Sequence, residues 1–179
     1  MKKILVPNDF SVNPILLLKK IFEENEDEKF QIVLLHGIFT PNSIMDLLFY
    51  NKKRVIHELQ NEDYLKACDL FRSKYDSRVI TMKSDILTSM RSHVLKTYLE
   101  VNQIDEIYIP EGLGMNFKHK DSFDLIKLIK RAGVEVNVVS FKNEEVVERA
   151  GSSVELSRLF LADLSKSIIR RYEGNAALS

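Results

Sequence analysis

Apolar residues fall along this chain in two kinds of pattern. "KILVP" (3–7), "FQIVLLHG" (30–37) and "DEIYIP" (105–110) are short runs with almost no polar alternation. Strands covered on both faces of a parallel sheet read this way. "VEVNVVSF" (134–141) alternates more, as an edge strand does, and "RVITMKS" (78–84) is a weaker fifth strand.

Helical spacing governs the segments between. In "SVNPILLLKKIFEEN" (11–25), Asn13 is placed to cap and Pro14 suits the first helical position, where a missing N–H costs nothing. "NEDYLKACDLFRSKY" (61–75) predicts a face of Leu65, Cys68, Phe71 and Tyr75. "TSMRSHVLKTYLEVN" (88–102) predicts Met90, Val94, Tyr98 and Val101 on one side. "DSFDLIKLIKRAG" (121–133) turns Phe123, Ile126 and Ile129 inward and stops at Gly133.

The resulting alternation of strands and helices implies right-handed crossovers and an α/β fold with a doubly wound, five-stranded parallel sheet. Ligands of such sheets sit beyond the carboxyl ends of the strands, at the switch point. Asp9 stands just past the first strand, in that favoured place.

Two segments lie outside the pattern. Residues 38–60 form a long connection containing the apolar "SIMDLLFY" (43–50), which is a lid, a partner surface or core padding. Residues 142–179 follow the last strand, where Ser152 and Glu155 offer a capping box and Leu156, Phe160, Leu164 and Ile168 recur every four residues. The expected division is an α/β domain over 1–141 and a C-terminal helical extension over 142–179. The extension's apolar stripe must cover its own sheet or a second subunit.

Composition narrows the classes further. The 179 residues suit one domain with an appendage, and a chain of this size buries about 70% of the surface it exposes when unfolded. With 26 basic and 26 acidic residues there is no overall excess of charge to favour nucleic acid. Cys68 is the single cysteine, so no intrachain disulfide can form. "MKKILVP" is too short an apolar run for a leader, and no stretch reaches the length of a membrane span. The expectation is a cytoplasmic protein with neither nucleic acid nor membrane as partner.

The opening "KKILVPNDFS", the second strand "IVLLHG" and the spacing of five strands resemble the universal stress protein family over roughly residues 1–141. That resemblance implies an adenine-nucleotide alpha-hydrolase-like fold with strand order 3-2-1-4-5, dimerisation through the last strand in many members, and ATP binding in a subset. It also implies that Asp9, with Pro7 and Asn8 beside it, contacts the adenine–ribose end of a nucleotide where one binds. Read from its residue type alone, Asp9 orders the turn into the first helix.

The phosphate end departs from the family. ATP-binding members carry a glycine, two residues, a second glycine, nine residues, and then Gly-Ser or Gly-Thr after the fourth strand. "YIPEGLGMNFKHKDSFDLIK" (108–127) instead has Gly112 and Gly114 two apart, and the expected Gly-Ser falls at Asp121-Ser122 or Ser122-Phe123. Losing two charge-assisted hydrogen bonds costs about 3–6 kcal/mol, or roughly 10² to 10⁴ in affinity. The loop lysines Lys118 and Lys120 and His119 are weak substitutes for a preorganised backbone cradle.

Other chemistry is not indicated. The four histidines have no i, i+4 pair, and no nucleophile elbow or Walker loop is present. The leading expectation is a non-catalytic universal-stress-like protein that forms a homodimer and acts through an unidentified protein partner, without a cofactor. The alternative is a sensor of ATP or another adenine nucleotide built on Pro7, Asn8, Asp9, His36, Gly112, Gly114 and Ser122. A third reading is a nucleotide hydrolase using His36 and Asp9.

Overall fold

The computed structural model describes residues 1–41, 43–117 and 119–141. Expectations for the extension over 142–179 therefore lie outside the described residues. The strands are β1 (Lys2–Pro7), β2 (Phe30–Gly37), β3 (Val79–Leu87), β4 (Glu106–Glu111) and β5 (Asn137–Ser140). The helices are α1 (Asn13–Glu24), α2 (Ile44–Leu48), α3 (Lys52–Leu59), α4 (Glu62–Lys74), α5 (Ser92–Val101) and α6 (Leu125–Ala132).

All strand pairs are parallel, in the order β3-β2-β1-β4-β5. The lack of alternation in β1 has a direct cause: both of its faces are covered. Ile4 and Val6 pack with Ile32 and Leu34 against α1 and α4, while Leu5 packs with Leu35 and Ile107 against α5 and α6. Apolar area buried on each face contributes about 25 cal/mol per Å² to stability.

Helix phases differ from expectation in places. On α4, Tyr64, Ala67, Cys68 and Phe71 are buried, whereas Leu65 is 45% exposed. Cys68, Phe71 and Tyr75 are thus inward as expected, while at the start Tyr64 replaces Leu65, its hydroxyl reaching Asn8 just past β1 and Ser84 on β3. On α5 the fully buried residue is Leu95, with Met90, Val94 and Tyr98 packed beside its cluster and Val101 in solvent. Helix α6 begins only at Leu125, capped by Asp124, whose Oδ1 accepts the Lys127 amide. Gly133 ends it in the left-handed region at φ 63°, as its sequence position implies. Asn13 is not the cap of α1; Val12 holds that position and Asn13 is the first helical residue.

The 38–60 connection folds into α2 and α3. None of α2 is buried, so core padding is excluded for it. Arg78 closes the far end of α1 from the other side of the chain, donating to the carbonyls of Phe22, Asn25 and Glu28.

Candidate functional site

The carboxyl ends of β1, β2 and β4 face one another at the switch point, and their loops interlock there. Beyond Pro7, the Asn8 amide still donates to the Leu35 carbonyl at 2.8 Å, continuing the ladder. The chain then turns sharply. Asn8 Oδ1 accepts the Phe10 amide at 3.0 Å, and Phe10 adopts φ 58°, an uncommon conformation for an aromatic residue. Burial of the Phe10 ring against His36 and Tyr64 offsets that strain.

Asp9 sits in this turn, 4% exposed. Its Oδ1 accepts from the Ser11 amide at 2.9 Å and from Ser11 Oγ at 2.6 Å. Its Oδ2 accepts from the Asn116 amide at 2.6 Å. One oxygen therefore orders the turn into α1, and the other holds the loop leaving β4. A second tie runs alongside, with Asn13 Nδ2 donating to the Gly114 carbonyl at 3.0 Å. Gly112 starts that loop at φ 88°, a conformation that favours glycine. At Gly114 the backbone makes no such demand, and an added Cβ would meet open space.

Asn8 is wholly buried. Its Nδ2 donates to the Tyr64 hydroxyl at 3.1 Å, and its carbonyl lies 2.7 Å from His36 Nδ1. A carbonyl can only accept, so His36 carries its proton on Nδ1 and presents the Nε2 lone pair. Ser122 Oγ lies 2.9 Å from Nε2 and donates to it. Burial pushes the His36 pKa below its ordinary value, opposed by the Asn8 carbonyl and by Asp9. Neutral His36 is thus the resting form near pH 7.

Residues 121–123 run antiparallel to 37–39. Ile38 bridges Ser122, the Phe123 amide donates to Gly37 O, and the Phe39 amide donates to Asp121 O. The Phe123 ring covers Gly37 so closely that an added Cβ would fall 2.4 Å from its Cε2. Asp121 stays half-exposed beside His119. A serine bonded to a neutral histidine has the first parts of a nucleophile. The amides that would stabilise an oxyanion are committed, however: those of Asp121, Ser122 and Phe123 donate to His119 Nδ1, His119 O and Gly37 O. As arranged, the pair is a clamp between β2 and the β4–α6 loop.

No family model and no curated protein matches this chain. Solved structures do. The hypothetical protein MJ0577, whose biochemical function was assigned from its structure, is 22% identical, covers 79% of this chain and 97% of its own, and superposes with a TM-score of 0.48. A universal stress protein family member from Arabidopsis thaliana, with AMP bound, is 16% identical over 85% of this chain and 100% of its own, with a TM-score of 0.44. The universal stress protein UspA of Lactobacillus plantarum is 18% identical over 78% and 96%, with a TM-score of 0.43.

The chain is similar in fold to universal stress proteins. Its own strand order, 3-2-1-4-5, is the one that resemblance implies.

Of the residues singled out from the sequence, Asn8, His36 and Ser122 form one hydrogen-bonded chain, while Asp9, next to Asn8, bonds Ser11 and Asn116 instead. Pro7 ends β1 beneath it. Gly112 and Gly114 shape the loop above it. Three contributors were not singled out from the sequence: Ser11, Tyr64 and Asn116. The first was readable as an acceptor–serine turn at i and i+2. Asn116 contributes only its backbone amide, for which no side-chain type is diagnostic. Among the described residues, no group of acids, histidines and cysteine is set to hold a metal ion, and no helix is long and apolar enough to cross a membrane.

Proposed function

We propose that this is a non-catalytic universal-stress-like protein of the cytoplasm, working through a homodimer and through contact with another protein. The observation that carries this reading is the state of Asp9. Both carboxylate oxygens are engaged by the chain's own donors, Ser11 and Asn116. Three of the carboxylate's roughly four acceptor sites are used and Asp9 is only 4% exposed, so a ligand hydroxyl would reach it readily only if the Asn116 amide and the loop that Asn13 also holds moved aside. Charge-assisted bonds of this kind contribute about 1.5–3 kcal/mol each, so opening the loop would consume much of a nucleotide's binding energy.

Two surfaces support action by contact. β5 pairs with β4 and ends the sheet, with Val138 exposed on it. Ile44, Leu48 and Phe49 are 78%, 72% and 74% exposed around α2, an apolar grouping that the described fold does not cover. Light scattering on the full chain, with Val138→Lys and Leu48→Ser variants, tests the dimer. A dimer weakened by at least one variant supports it; a monomer at high micromolar concentration overturns it.

The second reading, an adenine-nucleotide sensor, is favoured by a separate observation. Asp9, the Gly112–Asn116 turn and Ser122 converge at the switch point where ligands of such sheets bind. It requires the turn to open.

A further inference from the structure

A cleft of about 320 Å³ lies between α3, α4 and the middle of β3, away from the strand ends that surround Asp9. Its volume is at the lower end for small-molecule sites. One wall is a stripe of α4, Leu65, Cys68, Asp69 and Arg72, at the 3–4 spacing of a single helix face. Lys53, Ile56 and Gln60 of α3 form the opposite wall, and Met82, Ser84 and Leu34 line the sheet side. Leu65, left in solvent by the helix phase described above, is accounted for as a wall of this cleft.

Its charges are distinctive. Lys52 pairs with Asp85 and Arg54 with Glu58, but the ammonium of Lys53 between them has no ion-pair partner among the described residues. Across the cleft, Arg72 is held by one nitrogen, Nη2, which donates to the Met82 carbonyl at 2.9 Å. A guanidinium fixed in this way keeps further donors for a ligand. Asp69 is the single acid in the lining, against Lys53, Arg72 and Lys83. At the inner end the Tyr64 hydroxyl bonds Asn8 Nδ2 and Ser84 Oγ. Burial raises the pKa of Tyr64, and it pushes the Cys68 thiol up to about 11. Both stay protonated at neutral pH, which suits binding rather than nucleophilic chemistry.

We propose that this cleft binds a small amphiphilic organic anion, its phosphate or carboxylate head between Lys53 and Arg72 and its apolar body on Leu34, Ile56 and Met82. The ligand's inner end would meet Tyr64, and so lie one hydrogen bond from Asn8 beside Asp9.

Calorimetry on the full chain tests it, with n-hexyl phosphate, hexanoate and hexanol as probes. Hexyl phosphate is expected to bind about tenfold or more tightly than hexanol, the worth of one charge-assisted contact. Hexanoate separates a phosphate site from a general anion site by binding more weakly or equally. Lys53→Gln, at an exposed position that does not threaten folding, and Arg72→Gln should each weaken hexyl phosphate by about fivefold or more, and Ser84→Leu should block it by filling the cleft. No saturable binding below about 10 mM, equal affinity for hexanol, or affinity unchanged in Lys53→Gln would overturn the proposal.

Discussion

The Asn116 amide donates to Asp9 Oδ2 at 2.6 Å across 107 residues of sequence. Together with the bond from Asn13 Nδ2 to the Gly114 carbonyl, this bond joins the loop after β4 to the turn after β1. Asp9 is thereby a structural acceptor for three donors rather than an open carboxylate.

Replacing Asp9 with alanine leaves the Ser11 and Asn116 amides without their acceptor in a mostly dry turn. The expected loss is about 3 kcal/mol, with Asp9→Asn losing about half as much because it keeps one acceptor oxygen. Urea denaturation checks this. A change below about 0.5 kcal/mol for Asp9→Ala would mean that the Asn116 bond is not formed in solution.

Gly37→Ala sets a methyl group against the Phe123 ring at 2.4 Å. Overpacking there should cost about 1–3 kcal/mol. Phe123→Leu should restore part of the loss in the double variant, with a coupling energy of about 1 kcal/mol or more in a double-mutant cycle. Purely additive effects would place Phe123 elsewhere.

Stability should fall with acid through His36. Its folded pKa lies below the ordinary value of about 6.5, mainly because of burial. The unfolded chain therefore binds a proton that the native state refuses. The contribution is present in full above about pH 6.5 and is lost progressively below it, until the lowered folded pKa is reached. Asn8, Ser122, Phe10 and Phe117 surround the ring, and the charged groups near it are Asp9 and His119. Denaturation midpoints between pH 7 and 5.5 should drop in the wild type and drop less in His36→Gln, which retains both hydrogen-bonding roles. Equal slopes would refute the assignment.

Ile44→Ser with Leu48→Ser should leave folding stability within about 0.5 kcal/mol, since neither side chain is buried. Thermal melts read this directly. A loss of several degrees at a protein concentration where light scattering shows only monomer would mean that α2 is packed against part of the chain.

Much of this architecture is readable from residue patterns, and the reasons are local. Two-sided burial of Ile4, Leu5 and Val6 leaves an unbroken apolar run, and Gly133 marks its own left-handed turn. The candidate site is harder to read, because its contacts are long-range. Cys68, Phe71 and Tyr75 face inward as their spacing predicts, but at the start of α4 Tyr64 takes the place of Leu65, its hydroxyl bonded to Asn8 and Ser84. Asn13 looks like a cap but spends its amide on Gly114, since Ser11 Oγ already accepts the Asn13 amide N–H. The closure of Asp9 by a main-chain amide leaves no mark in residue identity at all.

The most direct test is calorimetric titration of the full chain with ATP and with AMP, in parallel with Asp9→Ala. The closed crevice predicts no saturable heat with either nucleotide up to about 1 mM, where binding free energy is only about 4 kcal/mol. Micromolar binding by the wild type that disappears in Asp9→Ala would contradict it, and would show that Asn116 yields its place to a ligand.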